Sequence, residues 1–223
     1  MLTDHRIRII IGHYGSGKTE FAVNYAICLA KEDKKVALAD LDIVNPYFRS
    51  REKENTLKEY GVKVIASYIK GSGSDLPAVT GDVLGPLQDK SYAVVLDVGG
   101  DSVGARALAR YKEYWDPRDY DMFCVVNANR AETSNIEGVI QHIKAIETTS
   151  GAKVTGLINN THLLNYTTVE EVLKGQELCT EVGKALKIPI KYICALQEVA
   201  EKLPNNLEGT ILPIKMMMRE NWM

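Results

Sequence analysis

A β-branched run, Arg6 to Ile11, leads straight into Gly12-His13-Tyr14-Gly15-Ser16-Gly17-Lys18-Thr19, and a helical pattern opens at Lys18. Gly-x-x-x-x-Gly-Lys-Thr between a strand and a helix constrains this chain more than any other feature. Glycines let successive backbone N–H groups turn inward and form a nest for phosphate oxygens. The helix N-terminus adds unpaired donors and the positive end of its dipole. Lys18 brings a point charge to β- and γ-phosphates, and the Thr19 hydroxyl is a ligand suited to Mg²⁺. The spacing therefore predicts binding of a purine nucleoside triphosphate with Mg²⁺. Gly12, Tyr14, Gly15, Ser16, Gly17, Lys18, Thr19 and Glu20 form the expected binding segment.

Beyond the loop, strand and helix patterns alternate. A helix is expected from about Lys18 to Lys31, where Phe21, Ala22, Tyr25 and Leu29 fall near helical spacing. A strand over Lys35 to Leu41, flanked by charge, suits a position buried on both sheet faces. Pro46 ends that region, a helix runs Phe48 to Tyr60, and a short strand covers Val62 to Ser67. Lys70 to Pro77 is rich in glycine and serine and reads as loop. A helix over Ala78 to Asp89, the strand Tyr92 to Asp97 and a helix from near Ser102 follow. The remainder reads as strand Tyr120 to Asn127, helix Thr133 to Thr149, strand Lys153 to Asn159, helix Val169 to Leu186 and strand Pro189 to Cys194. A last helix is expected over about Glu198 to Leu203, resuming later, with the Met-rich end packed on the domain. Such alternation predicts an α/β fold, a mainly parallel sheet with helices on both faces. No repeat or low-complexity linker divides it, so residues 1–223 are expected to form one domain.

Lysine and arginine number 27 against 29 acids, a net charge of −2 that exerts no general pull on nucleic acid or acidic lipid. No apolar run is long enough to span a bilayer and no signal segment precedes the first strand, so a cytoplasmic protein is expected. Cys28, Cys124, Cys179 and Cys194 are scattered without metal-ligand spacing and read as small core residues. His5, His13, His142 and His162 stand in unrelated sequence settings.

Ligands of open parallel sheets bind at the carboxyl ends of the strands. Two further strands end there in acid: Leu38-Ala39-Asp40-Leu41-Asp42 and Val95-Leu96-Asp97-Val98-Gly99-Gly100-Asp101. A carboxylate after an apolar run is the Walker B pattern, so Asp97 is expected to hold a Mg²⁺-bound water. Gly99 and Gly100 would let backbone approach the γ-phosphate closely. Asp40 and Asp42, two apart on extended chain, point to the same side; one suits the metal, the other the attacking water.

With these residues in hand, the chain resembles the MinD/ParA-like P-loop ATPases, the SIMIBI class that includes arsenite-pump ATPases and nitrogenase iron proteins. The phosphate loop, the Asp-x-Asp after the second strand and the later Asp-x-Gly-Gly carry the likeness. It implies a P-loop NTPase three-layer sandwich and a homodimer whose protomers meet across the nucleotides. It assigns Lys18 and Asp42 to catalysis, Asp42 orienting water, with Thr19, Asp40 and Asp97 at the metal. The chain departs from the family at His13, where many members carry a lysine that reaches the partner's phosphates. Arg49, Arg51, Arg106 and Arg130 are the candidate replacement cations.

A guanine site would show Asn-Lys-x-Asp after a late strand; Asn159-Asn160-Thr161-His162 and Asn127-Ala128-Asn129-Arg130 both lack it. Adenine, hence ATP, is the expected base. By the resemblance Asn160 contacts it and Cys194-Ala195-Leu196 lines its pocket. The leading expectation is a slow ATPase coupled to dimerisation or release of a protein partner. Alternatives are ATP-dependent phosphoryl transfer or ligation on a small carboxylate or cofactor precursor, as in dethiobiotin synthetases and cobyrinate amidating enzymes, and a non-hydrolysing switch. For the ligase reading, Gly71 to Pro77 with Tyr111, Tyr114 and Trp115 would shape a substrate pocket.

Overall fold

The alternation of buried β-branched runs with amphipathic helices resolves into an eight-stranded sheet in the computed structural model, which describes residues 2–32, 34–42, 53–66, 81–116 and 118–218. Its strands are β1 (Ile7–Gly12), β2 (Lys35–Asp40), β3 (Val62–Ala66), β4 (Tyr92–Asp97), β5 (Tyr120–Val126), β6 (Gly156–Asn159), β7 (Ile190–Leu196) and β8 (Thr210–Ile214). Every pairing is parallel, in the order β3-β2-β4-β1-β5-β6-β7-β8. From β1 the chain moves outward to one side through β2 and later to the other through β5. The loop after β1 therefore sits at the switch point of the sheet, where open α/β folds bind ligands.

The helices are α1 (Lys18–Ala30), α2 (Glu54–Glu59), α3 (Gly81–Gln88), α4 (Ser102–Ala109), α5 (Ile136–Ser150), α6 (Val169–Leu186) and α7 (Gln197–Ala200). Alternation along β1 separates the two sheet faces: Ile7, Ile9 and Ile11 join the core under α3 to α7, while Ile10 joins that under α1 and α2. The result is a three-layer sandwich of the P-loop NTPase type. Phe21, Ala22, Tyr25 and Leu29, the stripe expected on α1, are fully buried. The Asp4 carboxylate, shielded from solvent, accepts hydrogen bonds from the Tyr25 and Tyr192 hydroxyls and pairs with Lys191, tying the N-terminal segment to α1 and β7.

Several boundaries move for identifiable reasons. Asn135 caps α5 by accepting from Gly138 N at 2.9 Å, so the helix begins at Ile136 rather than Thr133. Asp101 likewise caps α4 through Val103 N and Gly104 N, a structural use of that acid. After α7 no helix resumes among the described residues; Thr210–Ile214 is a strand instead. Pro213 within it donates no hydrogen bond, which an edge strand tolerates and a helix interior does not. Lys215–Met218 then lies against α1 without helical structure. Tyr111 and Trp115 are buried in the core and Tyr114 packs on it, so these rings help hold the fold together. Cys124, Cys179 and Cys194 are core residues. Pro46, Arg49, Arg51, Ser67, Lys70 to Pro77, the N-terminal part of the expected Phe48 to Tyr60 helix and the start of the Ala78 helix lie outside the described residues.

Candidate functional site

Because the sheet is parallel throughout, the residues following each strand gather at one edge. Gly17 caps α1 in a left-handed conformation (φ 85°) and no side chain caps the helix, so its first-turn amides face the loop's concavity. A Cβ at Gly17 would lie 2.3 Å from Asn160 Nδ2, so both the dihedral and the contact demand glycine. That Nδ2 donates to the Ser16 carbonyl at 2.8 Å. The other end of the amide, Asn160 Oδ1, is buried with no donor. Asn160 thus braces the loop with one atom and keeps an acceptor free. Its neighbour Asn159 is spent on structure, bonding Val172 O, Gln176 and Thr161 N.

The acids gather on the far side of Lys18. Asp40 and Asp97 are register partners on adjacent strands, and Asp40 Oδ1 accepts from Asp42 N at 3.1 Å. Gly99 and Gly100 make this closeness possible. A Cβ at Gly99 would meet Asp42 Oδ1 at 3.2 Å, and one at Gly100 would strike the Gly12 carbonyl at 2.2 Å. Asp97 is 1% exposed, its carboxylate oxygens buried with the Lys18 ammonium and the Thr19 hydroxyl as the groups that favour its charge. Burial first, then the Asp40 charge, push it up to about 7, against the pull of Lys18 and the Thr19 hydroxyl. Lys18 is itself buried, its Nζ donating to the His13 carbonyl at 3.5 Å.

Buried carboxylate oxygens beside a threonine hydroxyl form a donor set that fits Mg²⁺. That ion takes one or two protein groups and completes its shell with water and phosphate oxygens. Among the described residues no three His, Cys, Asp or Glu side chains converge to cage a metal by themselves.

A cleft of about 260 Å³ opens beside Lys18 and Thr19. Tyr14, Arg130, Asn160 and His162 line its polar side; Cys194, Ala195, Leu196, Ile214, Met216 and Met218 line its apolar side. The expected base segment and Asn160 therefore share one cavity. Of the candidate arginines, Arg106 is exposed on α4, whereas Arg130 Nε donates to the Gly15 carbonyl at 2.9 Å. Sequence reasoning missed the cleft's C-terminal residues, whose only signal was a run of methionines.

It also missed that the fold brings His13 and His142 together, their rings edge-on at 5.6 Å. Burial first, then the charges of His13 and Lys18, press His142 down to about 4. In the unfolded chain it titrates near the ordinary 6.5, so between those values the unfolded state holds more protons. Its contribution to stability is thus complete above about 6.5 and lost as pH falls toward 4. His142→Gln should flatten this acid limb: the stability difference between parent and variant, from urea unfolding at a series of pH values, should shrink as pH falls from 7 to 4.5. A difference independent of pH would contradict a neutral buried imidazole.

Residues 7–206 match the CobQ/CobB/MinD/ParA nucleotide binding domain. The chain belongs to this family. A CobQ/CobB/MinD/ParA domain is a nucleotide-binding unit, and the phosphate loop, the buried acids and the cleft all fall within or beside the matched span. Solved structures similar in fold include the cell division protein FtsY of Thermotoga maritima, 24% identical with a TM-score of 0.56 over 83% of this chain and 60% of that one. Chloroplast FtsY of Physcomitrella patens is 18% identical, TM-score 0.58, over 86% and 58%. The signal recognition particle receptor FtsY of Elizabethkingia anophelis in complex with GDP is 16% identical, TM-score 0.54, over 86% and 57%. The chain thus spans about three fifths of these proteins' length. A search of curated proteins gives no match. Among the described residues no helix is long and apolar enough to cross a membrane.

Proposed function

We propose that this CobQ/CobB/MinD/ParA domain, acting as one unit over residues 1–223 in the cytoplasm, is a Mg²⁺-dependent ATP-binding protein. It hydrolyses ATP slowly and couples turnover to homodimerisation or release of a partner. The observation that carries the reading is the cluster of Asp40, Asp42 and Asp97 around Lys18 and Thr19 at the loop.

Amides of Gly15 to Glu20 and the Lys18 ammonium hold the phosphate chain. Thr19 would bind the metal directly, with Asp40 and Asp97 holding waters in its shell; when bound, Mg²⁺ would supply charge neutralisation for the phosphates. Asp42 accepts a hydrogen bond from the attacking water and aims its oxygen at the γ-phosphorus. That P–O bond forms as the bond to the β,γ-bridging oxygen breaks, one water proton passing to a phosphate oxygen, giving ADP and protonated phosphate. Arg130 is the cation we assign in place of the loop lysine, because its Nε bonds the Gly15 carbonyl and its side chain lines the cleft with Lys18 and Thr19. Asn160 Oδ1, a buried acceptor, pairs with the adenine amino group; guanine would oppose it with a carbonyl.

Purified protein with Mg²⁺ and ATP should release phosphate, and chelation of the metal should stop it. Asp42→Ala should lower turnover by about a hundredfold while ATP affinity stays within about threefold, since positioning water matters only on the way to the transition state. Single-turnover assays with protein in excess decide this. Unchanged hydrolysis by Asp42→Ala would remove Asp42 from the mechanism, and none by the parent would leave a binding switch.

A further inference from the structure

The segment Lys215–Met218 has no part in the phosphate chemistry, yet side chains of α1 hold it closely. Asn24 Nδ2 donates to the Lys215 carbonyl and its Oδ1 accepts from Lys215 N, both at 2.8 Å, so a side-chain amide stands in for a neighbouring strand. One turn earlier, the Glu20 carboxylate accepts from Met217 N at 2.5 Å and Met218 N at 3.1 Å. Asn24 Nδ2 also reaches the Glu20 carbonyl and carboxylate, at 2.8 and 3.3 Å, locking the two together. The hydrogen bonds fix the direction of the side chains. Met216 and Met218 line the cleft; Met218 is also buried in the apolar cluster of α1, against which Met217 packs.

Across the same cleft stands the unpartnered Asn160 Oδ1, on a residue only 2% exposed. An apolar thioether wall facing one buried acceptor suits a flat heteroaromatic ring that carries an amino group, because methionine sulfur packs well on aromatic faces. Glu20 directly follows Thr19, so the helix that offers amides to phosphate also sets the position of this wall.

We propose that Lys215–Met218, clipped to α1 by Glu20 and Asn24, is the base-binding wall of the site. Glu20, Asn24, Met216 and Met218 then determine adenosine recognition separately from the grip on phosphate. The proposal deepens the ATP-binding reading and rests on it. Glu20 acts here through its carboxylate as a positioning residue, whatever its backbone amide does toward phosphate.

Inorganic tripolyphosphate carries the phosphate chain without base or sugar, so its affinity compared with that of ATP isolates the wall. Calorimetry with Mg²⁺ and each ligand, on the parent chain, on Asn24→Ala and on Met216→Ala/Met218→Ala, is the test. ATP affinity should fall about tenfold in both variants while tripolyphosphate affinity stays within about twofold, the loss of one apolar contact surface and not of charge. Retained tripolyphosphate binding also reports that the variant is folded. If the clip variant does not fold, the methionine variant decides alone. An unchanged ratio of the two affinities overturns the proposal, whether both fall or neither does. A parent that binds both ligands equally overturns it too and leaves the phosphate loop standing. A parent that binds neither removes the ATP reading and the wall with it.

Discussion

Lys18→Ala should lose Mg²⁺·ATP binding by about a hundredfold or more, the largest single effect expected in this protein. Lys18 is 7% exposed and lies among Asp40, Asp42 and Asp97, so its ammonium balances two sets of negative charge: the acids always, the phosphates when present. Truncation removes a donor to the phosphate chain and leaves that chain facing carboxylates with less opposing charge. Losing one partner of a desolvated charge pair costs about 2–5 kcal/mol, and each 1.4 kcal/mol is about a factor of ten. Calorimetric titration of parent and variant with Mg²⁺·ATP measures it. A variant that bound ATP as tightly as the parent would end the phosphate-loop reading, and every proposal above would fall with it.

Asp97→Asn should do two opposite things: stabilise the nucleotide-free protein and abolish turnover. The folded state holds a proton on Asp97 up to about 7, while the unfolded chain releases it near 3.8. Between those values the folded state binds more protons, so this residue's contribution to stability falls as pH rises. At pH 8 the carboxylate is charged and buried beside Asp40, which the Lys18 ammonium and the Thr19 hydroxyl only partly offset. Asparagine removes that burden, worth on the order of a few kcal/mol. Urea unfolding in chelator without nucleotide should show the gain at pH 8, shrinking as pH drops toward 4. Phosphate release should fall about a hundredfold or more, because a neutral amide neither holds the metal's water nor counters its charge. A variant less stable than the parent at pH 8 would mean that the native carboxylate is satisfied by the protein alone. One that hydrolysed ATP normally would remove Asp97 from the metal site.

These two effects share a cause, charge concentrated at the carboxyl edge of a parallel sheet. That edge was legible in the chain because each piece is local. Gly12 to Thr19 carries its spacing within one loop, and Asp40 and Asp97 each close an apolar run that reads as a strand. Their meeting follows from parallel pairing, which sets Asp40 and Asp97 side by side in register. Where a side chain overrode the local pattern, the reading slipped. Asn135 moved the start of α5, and β8 escaped notice because its stability comes from pairing with β7, not from an alternating pattern of its own.

The amino-acid order by itself determined the alternating α/β architecture, the phosphate loop and the acids that flank it, since contiguous residues with fixed periodicity and spacing encode them. Only the tertiary structure decided that Arg130 meets the loop, that His13 and His142 are neighbours, and that methionines near the C-terminus wall the cleft. The physical reason is distance along the chain: Asn24 and Lys215 are 191 residues apart, and Asn160 and Ser16 are 144 apart. Contacts of that span have no local period. They arise from the order in which the strands are laid into the sheet, and a hydrogen bond between such partners is specified only once the layers have packed.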